Sequence, residues 1–139
     1  MLKSSKGITL IDLACGLSLA SVLFALVLYP LAKDAMVKDK ANTVISLAVY
    51  ETNQATVEFF QATGSWPASK EDVVTVVRLM RVEFINPYDE QPIEFGLGRP
   101  KHPSYVSPGS IRFIATDSTS FVICGYGSNG RVIKKLECL

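Results

Sequence analysis

Apolar and polar positions divide the chain into three stretches of different period. From Ile8 to Ala32 the sequence is apolar almost without break, and Asp12 is the one formally charged residue among these 25 positions. A helix needs about 20 mostly apolar residues to cross a bilayer, so a transmembrane helix is expected over residues 8–32. Beyond a charged patch (Lys33, Asp34, Lys38, Asp39, Lys40), small or apolar residues recur at Ala41, Val44, Ile45, Ala48, Thr52, Ala55 and Phe59. These steps trace one helical face, and Asn42, Ser46, Glu51, Asn53 and Glu58 fall largely off it. An amphipathic stalk helix over residues 33–62 follows. Joined to the first segment, it makes one helix of roughly 55 residues and about 80 Å. Pro30 lies inside it, removes one helical hydrogen bond and is expected to kink the axis. Gly16, Ser18, Ala20 and Ser21 are small enough to let helices approach closely in lipid.

The third stretch, residues 63–139, reads as a small globular head. Gly64 suits a helix C-cap and Pro67 blocks continuation. Ser69-Lys70-Glu71-Asp72 has the form of a capping box. Val73, Val76, Val77 and Met80 then share one face of a second helix, which the cap favours over a valine-rich strand. A turn-rich segment, Asn86-Pro87-Tyr88-Asp89-Glu90-Gln91-Pro92, leads to strands expected at Ile93–Phe95, Ile111–Ala115 and Phe121–Tyr126. Asn129-Gly130 signals a two-residue hairpin, with Arg131–Leu136 as the returning strand. The expected fold is α+β: a long N-terminal helix whose amphipathic half packs on a small antiparallel sheet.

Composition narrows the function. The chain has 139 residues and a net charge of +1, with no long Lys/Arg run, so nothing argues for nucleic acid as a partner. Three cysteines, Cys15, Cys124 and Cys138, include no Cys-x-x-Cys pair and lack a nearby histidine, which is not a zinc pattern. Gly125-Tyr126-Gly127-Ser128-Asn129-Gly130 matches a dinucleotide fingerprint by letter, but a strand rather than a helix follows it. His102, the single histidine, sits in a loop between Pro100 and Pro103 with no nucleophile tied to it. Glu83, Asp89, Glu90 and Glu94 read better as solvated loop charges than as a calcium site, and Trp66 and Tyr88 as packing residues. No catalytic residue and no cofactor are expected. A Cys124–Cys138 disulfide would close a loop of about 15 residues and add roughly 3 kcal/mol. A hairpin centred on Asn129-Gly130 pairs Cys124 with Lys135, however, so the tail must bend back by about three residues for the thiols to meet.

Lys3 and Lys6 precede the apolar run without an acidic neighbour, which places this end in the cytoplasm and the head outside. A secretory signal has an apolar region of about 7–15 residues, much shorter than this one. A lipoprotein reading of Leu13-Ala14-Cys15-Gly16 fails because Asp12 interrupts the region upstream and apolar helix continues downstream. A plain anchor explains the length but not Asp12. The string Lys6-Gly7-Ile8-Thr9-Leu10-Ile11-Asp12 resembles the type IV prepilin signal. So do the element order, the Gly64-x-Trp66-Pro67 stretch after the stalk and the turn at Asn86–Asp89. Ile8 and Asp12 stand where that family commonly has Phe and Glu.

The resemblance implies a leader over residues 1–7, cut by a prepilin peptidase between Gly7 and Ile8, and methylation of the new N-terminus. Gly7 lets an extended backbone approach a protease closely. A carboxylate in hydrocarbon usually marks a functional partner, and cleavage frees an amine at Ile8, about 6 Å from Asp12 along the axis. In a filament the Asp12 of one subunit would meet the amine of the next and set the register. The implied partners are like or related pilin or pseudopilin subunits, an inner-membrane assembly platform and membrane lipid. Many members of the family carry a C-terminal disulfide, which favours the Cys124–Cys138 pair. The competing class is a single-pass tethered binding or sensor module that keeps the anchor and does not polymerise.

Overall fold

The structure is a computed structural model and describes residues 7, 9–117 and 120–138. Its elements in chain order are α1 (Leu10–Thr63), α2 (Lys70–Leu79), β1 (Phe95–Leu97), a 3-10 turn (Pro103–Tyr105), β2 (Ile111–Ala115), β3 (Phe121–Tyr126) and β4 (Val132–Cys138). The chain forms two compact units, Met1–Val37 and Lys38–Leu139. The described part of the first unit is helical from Leu10 onward and exposed throughout, with Pro30 inside α1.

The second unit takes in α1 from Lys38 together with every other element. On α1 the buried positions are Ala41, Ile45, Ala48, Val49, Thr52, Ala55, Thr56 and Phe59. This is the expected face with Val49 and Thr56 added and Val44 half-buried at its margin. Two threonines sit in a dry face because each hydroxyl turns back onto its own helix. Thr52 Oγ1 donates to Ala48 O at 2.6 Å and Thr56 Oγ1 donates to Thr52 O at 2.7 Å, so neither is left unsatisfied. Gly64 ends α1 at φ 74°, with its N–H donating to Phe60 O at 2.7 Å, a left-handed cap that glycine adopts without strain.

α2 starts on the expected capping box. Asp72 N–H donates to Ser69 Oγ at 3.1 Å, and Asp72 Oδ2 accepts from Ser69 N–H at 2.9 Å and Ala68 N–H at 3.0 Å. The Ala68 and Ser69 amides and the Ser69 hydroxyl hold the Asp72 carboxyl below its usual range. Val73 and Val76 are the buried residues of this helix. Trp66 is stacked between Phe60 and Phe121, at centroid distances of 4.1 and 5.4 Å. It ties the end of α1 to the sheet as a packing residue.

The strands lie in the order β1-β2-β3-β4. β2–β3 and β3–β4 are antiparallel as expected, whereas β1 runs parallel to β2. A parallel pair needs a crossover of about a dozen residues. The loop from Gly98 to Ser110, with its 3-10 turn, supplies it. The sheet has two covered faces. Phe113, Phe121 and Ile123 face the core built on α1 and α2, and Ile114, Val122, Cys124 and Tyr126 form a second cluster closed by Val106 of the crossover. Asn86, 3% exposed, donates through Nδ2 to Pro108 O at 2.8 Å and accepts from Tyr88 N–H at 3.1 Å, which pins the proline-rich turn to the crossover.

The β3–β4 connection differs from a two-residue hairpin. Gly127 N–H donates to Arg131 O at 2.9 Å and Gly130 N–H donates to Gly127 O at 3.1 Å, with Gly130 at φ 68°. Three residues fill the loop, in the pattern of a type I turn followed by a left-handed glycine. A register shift beside Gly125 and Tyr126 absorbs the extra residue, so Cys124 still pairs with Lys135.

Candidate functional site

The first unit presents a large apolar surface with one charge at its entry. Large apolar side chains from Leu10 to Leu31, among them Leu17, Leu23, Phe24 and Leu26, are exposed. Removing one such side chain from water is worth about 1.5–3 kcal/mol, so a helix carrying more than ten of them gains on the order of 20 kcal/mol when lipid or other helices cover it. Among the described residues, this is the one helix with a stretch long and apolar enough to cross a membrane.

Asp12 stands in the first turn of α1, and the structure gives it a partner within the chain. Asp12 Oδ2 accepts from Thr9 Oγ1 at 2.6 Å and from Thr9 N–H at 3.1 Å, while Asp12 N–H donates to Thr9 Oγ1 at 3.1 Å. Together these form a reciprocal capping box. It satisfies two donors that the helix start leaves free, which matters most where no water is available. Thr9-x-x-Asp12 is visible in the sequence as the same signature that marks Ser69. The family resemblance refers the carboxylate to a neighbouring subunit and so does not single out Thr9. Both uses are chemically compatible, since one carboxylate accepts about four hydrogen bonds.

Gly7 is exposed, and a Cβ added there would meet no atom within 4 Å. Ile8 and the leader residues Met1–Lys6 lie outside the described residues. Near Gly16 there is likewise open space for a Cβ, and Ser21 Oγ donates to Leu17 O at 2.8 Å. Gly16 therefore leaves this stretch of helix approachable, and the Ser21 hydroxyl is satisfied within the helix.

The Cys124–Cys138 disulfide is corrected by the structure, in which all three cysteines are free. β4 does not bend back but continues as strand to Cys138, which pairs with Phe121 while Cys124 pairs with Lys135. An offset of three residues separates the two positions by roughly 10 Å along the strands. Three is also an odd number, and side chains alternate across a sheet. Cys138 thus joins the core on α1, and Cys124 joins the cluster on the opposite face. Asn53 Nδ2 donates to Cys138 Sγ at 3.1 Å and to Glu137 O at 3.3 Å, tying the end of β4 to α1. Burial pushes the Cys138 thiol up to about 11 and also raises that of Cys124.

His102 does meet a hydroxyl, Ser104 Oγ at 2.7 Å from Nδ1, but the same nitrogen accepts from Ser104 N–H at 3.2 Å. Both residues are exposed and cap the 3-10 turn, so the pair closes a local turn. Among the described residues no group of three or more His, Cys, Asp or Glu side chains is placed to hold a metal ion. Comparison with protein-family models, with curated proteins and with solved structures gives no match for this chain.

Proposed function

We propose that this chain is a structural subunit of a type IV pilus-like or pseudopilus filament, serving pilus, type II secretion or competence machinery. A prepilin peptidase cuts it after Gly7, and the product is held in the cytoplasmic membrane by residues 8–32 with its head outside until it polymerises. The observation that carries this reading is the placing of one carboxylate, Asp12, five residues after a bare glycine at the entry to an uncovered apolar helix. A plain anchor gains a helix cap from that charge and nothing more, and a neutral cap would serve it as well. A filament gains a register mark, because the amine freed at Ile8 of one subunit pairs with Asp12 of the next. The remaining exposed apolar face packs against neighbouring helices once the subunit leaves lipid.

Assembly of variants tests the proposal. In a host supplying the peptidase and assembly platform, Asp12→Ala inserts into the membrane normally but yields no sheared filaments. Thr9→Val removes the capping hydroxyl, keeps the carboxylate and still yields filaments. Filaments from Asp12→Ala would remove the register role. Equal loss in both variants would assign Asp12 to helix capping alone, and a wild-type chain that inserts but never polymerises would favour the tethered binding module.

A further inference from the structure

The two edges of the sheet are treated differently by the sequence. β4 carries Lys134, Lys135 and Glu137, all exposed, with Lys135 Nζ 3.8 Å from Glu137 Oε1. Charged side chains of this kind, lysine above all, keep an edge from pairing with other chains. β1, at the opposite edge, reads Phe95-Gly96-Leu97 and has no charged residue. Its free side opens onto a groove of about 680 Å³ lined by Val73, Val74 and Val77 of α2 and by β1 itself.

The backbone in this groove is unpaired. Ile111 N–H donates to Glu94 O at 2.9 Å and Gly98 N–H donates to Phe113 O at 2.8 Å. Residues alternate in the direction of their backbone groups along a strand, so Glu94, Gly96 and Gly98 face β2 while Phe95 and Leu97 face the groove. No hydrogen bond to the N–H or C=O of Phe95 or Leu97 is found within the described residues. The two donor–acceptor pairs are about 6.6 Å apart, the two-residue repeat of an extended chain.

Charge adds a sign to the site. Lys70, Arg78 and Arg112 line the groove against a single carboxylate, Glu94. Arg112 lies across Gly96, where a Cβ would stand 2.5 Å from its Nη1. Its Nε is shut off from solvent and has no hydrogen-bond partner in the protein. The floor is therefore a peptide edge, one wall is apolar and the rim is cationic.

We propose that this groove takes an extended peptide segment of alternating apolar and acidic residues, which adds to β1 as a fifth strand. Its backbone pairs with Phe95 and Leu97, its apolar side chains rest on Val74 and Val77, and its carboxylates, alternating to the opposite face of the sheet, meet Arg112. A fatty-acid-like amphiphile fits the wall and the charge but leaves the four backbone groups of β1 unsatisfied. This inference is independent of whether the chain polymerises.

The test uses the full chain in lipid nanodiscs and a fluorescein-labelled heptapeptide of alternating valine and glutamate. That probe binds saturably and slows hydrogen exchange of the Phe95 and Leu97 amides at least tenfold. Replacing its glutamates by lysine, or methylating every peptide nitrogen, weakens binding at least tenfold. Leu97→Pro removes an N–H that faces the groove rather than β2, and it lowers affinity at least tenfold with unchanged circular dichroism. Arg112→Gln reduces the preference for the glutamate probe. Absence of protection at Phe95 and Leu97 at millimolar probe, or equal binding of the methylated probe, overturns the proposal. Displacement of the probe by dodecanoate without loss in Leu97→Pro overturns it as well, in favour of an amphiphile site. If Leu97→Pro does not fold, the methylated probe on the unaltered protein decides.

Discussion

At Gly125 β3 lies directly against Ile45 and Val49 of α1, and adding one methyl group there tests the packing of the second unit. A Cβ at this position would stand 2.6 Å from Cγ2 of both Ile45 and Val49, about an ångström inside ordinary carbon contact. Ile45 and Val49 are fully buried, and β-branched side chains in a helix hold one strongly preferred rotamer. Neither can turn away, so the strand must shift. Gly125→Ala is expected to destabilise the unit by about 1–3 kcal/mol, although relieving backbone entropy in the unfolded chain would by itself stabilise by about 0.4–1 kcal/mol. Urea unfolding of the full chain in non-ionic detergent reads this directly through Trp66, whose ring is stacked on Phe60 and Phe121. With a denaturant slope of about 1–3 kcal/mol per molar, the midpoint falls by roughly 1 M. In a Val49→Ala background one of the two clashing methyls is gone, and the cost of Gly125→Ala drops by about half. A change below about 0.5 kcal/mol, or strict additivity of the two substitutions, would refute the packing argument.

The cysteines make two further predictions. Chain unfolded without reductant takes up three alkyl groups, because all three thiols are free; uptake at Cys15 alone, with a mass two hydrogens short, would restore the disulfide. Stability also falls as pH rises from the ordinary thiol range toward about 11, since folded Cys138 holds its proton to about 11 while the unfolded chain releases it earlier. Cys138→Ala flattens that slope in pH-dependent unfolding, and Cys124→Ala, whose thiol is also raised by burial, flattens the remainder.

Much of this architecture was legible because local signals agreed with one another. The 3.6-residue period of Ala41 to Phe59, the capping box at Ser69 and the strands at Ile111–Ala115 and Phe121–Tyr126 each rest on neighbours in sequence, and the structure places them there. Val49 and Thr56 escaped because a helix face in contact with a sheet and a second helix is wider than a single stripe. The parallel pairing of β1 depends on where the crossover returns the chain, and no local pattern encodes that. The Asn129-Gly130 signal named the hairpin but not its loop length. Even so, the register shift beside Gly125 and Tyr126 kept Cys124 opposite Lys135. That register, followed to the end of β4, puts Cys138 on the face away from Cys124. At the N-terminus the carboxylate stands out as the one charge in an apolar run, whereas Thr9 is one small polar residue whose capping role shows in its hydrogen bonds to Asp12. The groove beside β1 arises from elements distant in sequence, α2 and the Phe95–Leu97 edge, so no motif announced it.

The central claim is that Gly7 and Ile8 mark a processing site and that Asp12 serves the N-terminus it creates. Intact-mass measurement of the protein purified from membranes of a host with a prepilin peptidase tests this most directly. The account predicts a chain that begins at Ile8 and carries one methyl group on its amine. A chain that retains Met1–Gly7 in that host would contradict it.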